Sequence, residues 1–447
     1  MAGNATERAR IGWVGIARLG LVQAAIGAVV LLTTSTLNRV MVVELALAAV
    51  LPGALVGWHY AIQMLRPRWG HGGDGGRRTP WISGGVAVLA IGGVCAAAAT
   101  ALMERTLVGG IAAAAFAFFL IGVGVGAGGT NLLALLAISV APARKAAAAA
   151  IVWIMMIVGF VLTAGIAGAA LEPFSMSRLI EVAAGVGAVA VALTVLATLG
   201  LEPSGACAPA RVSDKPSFRD ALKDVLSDQP ARRFTLFVFV SMLAYSAQDL
   251  ILEPFAGLVY DMTPGESTKL SGVQNGGVLL GMILTAVVGT LVGKSRVQFM
   301  RSWSAAGCIA SAAALFALSG AAVAGPEVPL APLVFSLGLA NGAFAVAAIG
   351  SMMALASAGA PQREGVRMGV WGAAQALGFG LGGFLGAAAL DGARAALGAT
   401  SPAFAAVFAV EALLFVAAAI LSFRVGSVAA LSADLPAMAR HDALPAE

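Results

Sequence analysis

Two acids four residues apart, Asp249 and Glu253, stand in "LAYSAQDLILEPFAG" (243–257), a stretch otherwise apolar enough to cross a bilayer. That spacing puts both carboxyls, with Gln248 beside them, on neighbouring positions of one helix. A charge near the bilayer centre costs roughly 3 kcal/mol or more unless it is paired or reaches a water-filled cavity, so the acids are expected to face inward. A second stretch, "TLNRVMVVELALAAVLPG" (36–53), carries Arg39 and Glu44 followed by Pro52-Gly53, as Asp249 and Glu253 are followed by Pro264-Gly265. Arg39 is the one cation near that depth and is expected to pair with Asp249 or Glu253. Two chemistries fit the group: an ion-pair clasp in a cargo cavity, or a titrating acid, Asp249 or Glu253, in a proton-coupled transporter of a small solute.

The elements that would position these residues follow from composition. The chain of 447 residues is 60% hydrophobic and only 11% charged, far from the roughly 25% of a soluble domain. Apolar runs of about 20 residues, the length needed to cross a bilayer, recur twelve times. Runs of this length without alternation are helices rather than barrel strands. The expected fold is therefore an all-α membrane protein with twelve transmembrane helices in two six-helix halves. The boundaries read as an amino tail (1–11), an N-terminal half (12–201), a connector with a short amphipathic helix (202–233), a C-terminal half (234–424) and a disordered tail (425–447).

Most of the 27 lysines and arginines fall in alternate connections, among them Arg66, Arg77, Arg78, Arg144, Arg211 and Arg296. The positive-inside rule then places both termini in the cytoplasm of a bacterial inner membrane. The bias toward an anionic leaflet accounts for the net charge of +5 without nucleic acid. The first run has no cleavage signature and is expected to be a retained helix. The three cysteines, Cys95, Cys207 and Cys308, have no metal-ligand spacing. No nucleophile triad, metal cluster or phosphate loop is present, so no enzymatic chemistry is expected.

The loop "RPRWGHGGDGGRRTP" (66–80) sets Gly70, Asp74, Gly76, Arg77 and Arg78 in a glycine-rich turn between two apolar runs. It resembles the signature loop of the major facilitator superfamily, with one residue fewer between the acid and Gly-Arg-Arg. The resemblance implies that Asp74 faces the amino end of the eleventh helix, near 363–367, while Arg77 and Arg78 complete an inner gate. The alternative is a basic loop that serves topology alone.

"LNRVMVVEL", "AYSAQDLILEPFAG" and "WGAAQA" together resemble the bacteriochlorophyll delivery branch of that superfamily, the PucC/LhaA-like proteins, over residues 12–424. The resemblance implies a carrier that supplies bacteriochlorophyll during assembly of light-harvesting antennae. Its partners would be the antenna peptides, bacteriochlorophyll synthase and the lipid bilayer. The pigment is then a cargo whose magnesium takes one axial ligand. His59 is the one helix histidine, since His71 and His441 fall in the loop and tail; it reads either as that ligand or as a packing residue. Asn131, Asn341 and Gln375 offer amide oxygens for the same role. The glycine string "GVGVGAGGTN" reads as close helix packing, or as a flat wall for a macrocycle.

Overall fold

A computed structural model describes residues 11–66, 69, 77–141, 144–202, 227, 229–291, 296–357 and 364–438. Gly70, Asp74 and Gly76, and the amphipathic helix expected near 217–226, lie outside the described residues. Twelve helices cross back and forth among the described residues: α1 (Trp13–Glu44), α2 (Val50–Gln63), α3 (Thr79–Met103), α4 (Leu107–Ser139), α5 (Lys145–Ala170) and α6 (Met176–Thr198). They are followed by α7 (Gln229–Tyr260), α8 (Pro264–Leu291), α9 (Arg296–Ala324), α10 (Leu330–Ser357), α11 (Glu364–Leu397) and α12 (Thr400–Met438). Eleven are long and apolar enough to cross a membrane, and α2 is a shorter helix of 14 residues. The chain is a multi-pass membrane protein.

Three boundaries differ from the sequence expectation. Helix α1 runs on to Glu44, past the end of its apolar run, because two π-helical turns, Leu32–Thr36 and Val40–Glu44, extend it. Helix α7 begins at Gln229, inside the expected connector. Helix α12 continues to Met438, through residues expected to be disordered; their alanine content favours helix even where the apolar pattern fades.

Each half has its own core. Leu19, Val22, Val86, Leu89, Phe118 and Ile121 pack the first, and Phe255, Leu315, Phe344, Phe404, Phe408 and Phe415 the second. Glycine sets the closest approaches. A Cβ added at Gly85 on α3 would stand 2.4 Å from the backbone of Gly128 on α4, so the glycine string of α4 is used for backbone-to-backbone packing. Between the halves, α2 meets α11 and α5 meets α8. A Cβ at Gly53 would come within 2.8 Å of Ala387, and one at Gly57 within 3.4 Å of the Gly380 carbonyl. The side carrying Arg77, Arg78 and Glu202 is called the basic face below, and the side carrying Glu44 and Asp391 the opposite face.

Overpacking typically costs about 1–3 kcal/mol. Gly53→Val is therefore expected to lower the melting temperature in detergent, whereas Gly84→Ala, a site with nothing within 4 Å of the added carbon, leaves it unchanged. Equal melting of the two variants would remove the glycine seam as a packing constraint.

Candidate functional site

The polar residues of α1 and α7 meet at the opposite face. Two π-helical turns supply the geometry, since in them an N–H reaches five residues back and residues five apart share a face. Arg39 thereby stacks over Glu44, five residues on, and their side chains form an ion pair. The guanidinium is buried, with 3% of its side chain exposed against 34% for the Glu44 side chain. It also donates to the Met262 carbonyl of the other half. The expected partnership with Asp249 or Glu253 is thus replaced by a local pair that crosses between the halves through a backbone carbonyl.

Glu253 crosses by another route. Its carboxylate accepts from Ser35 of α1 at 2.5 Å, from Ser271 of α8 at 2.5 Å and from Ser267 at 3.5 Å. Three hydroxyls hydrogen-bond this buried acid, and Arg39 acts on it through its charge rather than by a direct bond. Thr36 and Thr268 hydrogen-bond across the halves at 3.0 Å, and Asn38 donates to the Leu250 carbonyl. These partners lie in the first turns of α8 and the last turns of α1, so the layer sits toward the opposite face rather than at mid-membrane. Asp249, one turn deeper and partly buried, accepts from Gln274 at 3.3 Å. Its charge also acts on Tyr245 and, across the halves, on Tyr60.

Two helix amino ends are capped by carboxylates from distant parts of the chain. The N–H groups of Ala49 and Val50, at the start of α2, donate to Asp391 of α11 at 3.0 and 2.7 Å. At the basic face, the N–H groups of Arg78 and Thr79, at the start of α3, donate to Glu202 at 2.9 and 3.0 Å, and the Thr79 hydroxyl adds 2.9 Å. These carboxylates satisfy helix donors that have no local cap. Neither position carries a capping side chain of its own, so sequence reasoning missed both acids. Burial raises the Glu202 carboxyl, but the bonds from Arg78 and Thr79 and the charge of Arg77, 3.9 Å away, outweigh it and hold the group below its ordinary range.

Asn131 is spent on the same loop. Its oxygen accepts from Arg78 at 3.2 Å and its amide donates to the Trp69 and Ala127 carbonyls at 3.1 and 3.0 Å. The amide is therefore engaged in holding the loop rather than offered to a pigment. Asn341 is fully buried between α9 and α10, accepting from Ser311 at 2.8 Å.

His59 lies in the wall between α2 and α4, 1% exposed, and its ring stands against Phe118. Its Nδ1 donates to the Val56 carbonyl at 2.6 Å. That setting is one of packing, away from the surface between the halves. Tyr60, the next residue, does face that surface. It stacks on Phe379 of α11 at 5.8 Å between centroids, and Phe379 meets Tyr245 of α7 at 5.7 Å. Gln375, one turn from Phe379, is partly exposed.

A twelve-helix chain in two halves, joined by α2–α11 and α5–α8 seams and bridged by polar side chains at one face, has the fold of the major facilitator class. Solved structures agree in fold. A bacterial homolog of the human lysosomal transporter Spinster, inward-facing and occupied, is 17% identical at a TM-score of 0.64, with 93% of this chain and 96% of that one covered. The nucleoside transporter NupG is 15% identical at 0.63, covering 92% and 98%.

The chain belongs to the PUCC protein family, whose description matches residues 36–429. The "Bacteriochlorophyll synthase 44.5 kDa chain" of Rhodobacter capsulatus is 50% identical over 424 residues, 95% of this chain and 97% of that one. "Protein PucC" of Cereibacter sphaeroides is 29% identical over 375 residues, 80% and 79% of the two chains.

Glu202 contributes stability above the ordinary carboxylate value of about 4.3, and that contribution is lost as pH falls through the lowered native value. Glu202→Gln is expected to melt below the parent at neutral pH, with the gap closing on acidification; a pH-independent gap would argue against the cap. At the opposite face, Arg39→Glu combined with Glu44→Arg is expected to recover part of what each single reversal loses in melting temperature. Arg39→Asp with Asp249→Arg should recover nothing, and recovery there would restore the cross-half ion pair.

Proposed function

We propose that the protein carries bacteriochlorophyll and delivers it during assembly of light-harvesting complexes. The observation that carries this reading is the surface between the halves, where α2, α7 and α11 present the stacked rings of Tyr60, Tyr245 and Phe379. Flat aromatic faces suit a macrocycle, and family membership supports the pigment as that macrocycle. The Rhodobacter capsulatus relative is named as a chain of bacteriochlorophyll synthase. A transporter fold beside such an enzyme supports a handing-on role rather than a catalytic one, with the antenna peptides as recipients.

The residues suit the group in one respect. A magnesium porphyrin asks for one axial ligand, and the Gln375 amide stands on the same face of α11 as Phe379, four residues before it. When bound, the pigment would supply light absorption and nothing else; the chain would hold the ring and keep water from it. The basic loops support a cytoplasmic placement of both termini, in the inner or intracytoplasmic membrane of a photosynthetic bacterium.

Protein purified from a photosynthetic host is expected to carry a near-infrared bacteriochlorophyll band. Tyr60→Ala with Phe379→Ala should reduce pigment occupancy several-fold, Gln375→Leu should shift the band, and His59→Phe should do neither. Absence of pigment from well-folded parent protein would overturn the reading in favour of a small-solute transporter.

A further inference from the structure

Glu411 lies in the middle of α12, in "AVFAVEALLFV" (406–416). It is 2% exposed and neither carboxyl oxygen has a hydrogen-bond partner. Buried polar groups are ordinarily satisfied, and an ionised carboxylate in such a place carries a large penalty. Among the described residues no cation of its own half offsets it: residues 234–260 of α7, 302–357 of α9 and α10, 368–393 of α11 and 400–423 of α12 contain neither lysine nor arginine, and Arg39 of α1, which faces α7 at Gly257, is paired with Glu44. Lys269 of α8 sits at the opposite face, paired with Glu172 at 3.2 Å.

The surroundings place a second acid at the same level. Phe255 of α7 packs on Phe404 and Phe408 of α12, with centroids 5.2 and 5.1 Å apart. The two helices run in opposite directions. Six residues back from Phe255 is Asp249 and three residues beyond Phe408 is Glu411, so the register sets the two acids at one level, and the charge of Asp249 reaches Glu411. Gln248 is fully buried with both amide atoms unpartnered, and so is the amide nitrogen of Asn341. The helices packed against α12 bring only a few other titratable groups to its membrane-spanning stretch. They are Tyr245, Glu253 and Tyr260 on α7, Cys308 on α9 and Asp391 on α11; Tyr60 of α2 and Gln274 of α8 face Asp249.

Two carboxylates at one level, one fully and one partly buried and with no cation between them, do not both ionise. We propose that Glu411 and Asp249 form one proton-binding site in the core of the C-terminal half, which keeps a proton while the opposite face is closed and releases it when α7 moves. On release the carboxyl O–H bond breaks, its electron pair stays on the carboxylate, and the proton passes to water admitted beside Asp249. Movement of α7 against α12 is then coupled to protonation, whatever the cargo, and the site stands independently of the pigment reading.

Infrared spectra of the full-length protein in lipid test this. The parent is expected to show a protonated-carboxyl C=O band at neutral pH that is lost in Glu411→Gln and retained in Glu44→Gln. Glu411→Gln should fold and melt like the parent, because it replaces one neutral group with another. In Asp249→Asn the band should vanish at lower pH than in the parent, since removing the neighbouring negative charge eases ionisation of Glu411. The proposal is overturned if the parent lacks the band, if Glu411→Gln leaves it intact, if its pH midpoint ignores Asp249→Asn, or if sodium alone displaces it.

Discussion

A carboxylate in hydrocarbon has no water to turn to, and its partners must come from the protein itself. The join between the two halves is organised around that need. Glu253 draws one hydroxyl from α1 and two from α8, so satisfying it pulls three helices together at one level. Arg39 is held by Glu44 within α1 and by a carbonyl of the other half. Since the buried groups of each half are satisfied partly by the other, closure of this face and neutralisation of its polar atoms are one event.

The two distant helix caps extend the same logic to the backbone. The amino ends of α2 and α3 expose donors at opposite sides of the membrane, and each receives a carboxylate from a remote part of the chain, Asp391 from α11 and Glu202 from just beyond α6. The first crosses the halves and the second stays within one. They therefore differ in what they join: Asp391 ties α2 to the other half, while Glu202 ties α3 to its own.

Much of this architecture is legible in the amino-acid sequence. Long apolar runs and clustered cations specify twelve helices because both signals are local and summed over many residues. The inward orientation of Asp249 and Glu253 follows from the cost of leaving them in lipid. The pairing of Arg39 escapes a sequence reading because i, i+5 neighbours arise in π-helical turns, and an α-helical spacing rule looks to i+3 and i+4. Asp391 and Glu202 are invisible to it because a cap supplied from far along the chain leaves no mark at the residues it caps. Glu411 is easily passed over, since one acid in an apolar helix resembles a tolerated exception until its neighbours are known to contain no cation. His59 looks like a ligand by residue type, and only its setting between α2 and α4 assigns it to packing.

The glycine seam of α2 against α11 bears on how the molecule can move. Interlocked side chains act as teeth, and sliding past them means climbing one barrier per tooth. Gly53 and Gly57 instead lie close against Ala387 and the Gly380 carbonyl, which leaves the stretch between the Tyr60–Phe379 stack and the Asp391 cap nearly smooth. Such a contact resists separation through its large area of close approach but offers little friction to shear. The seam is thus built like a plain bearing held between two latches, the aromatic stack and the carboxylate cap.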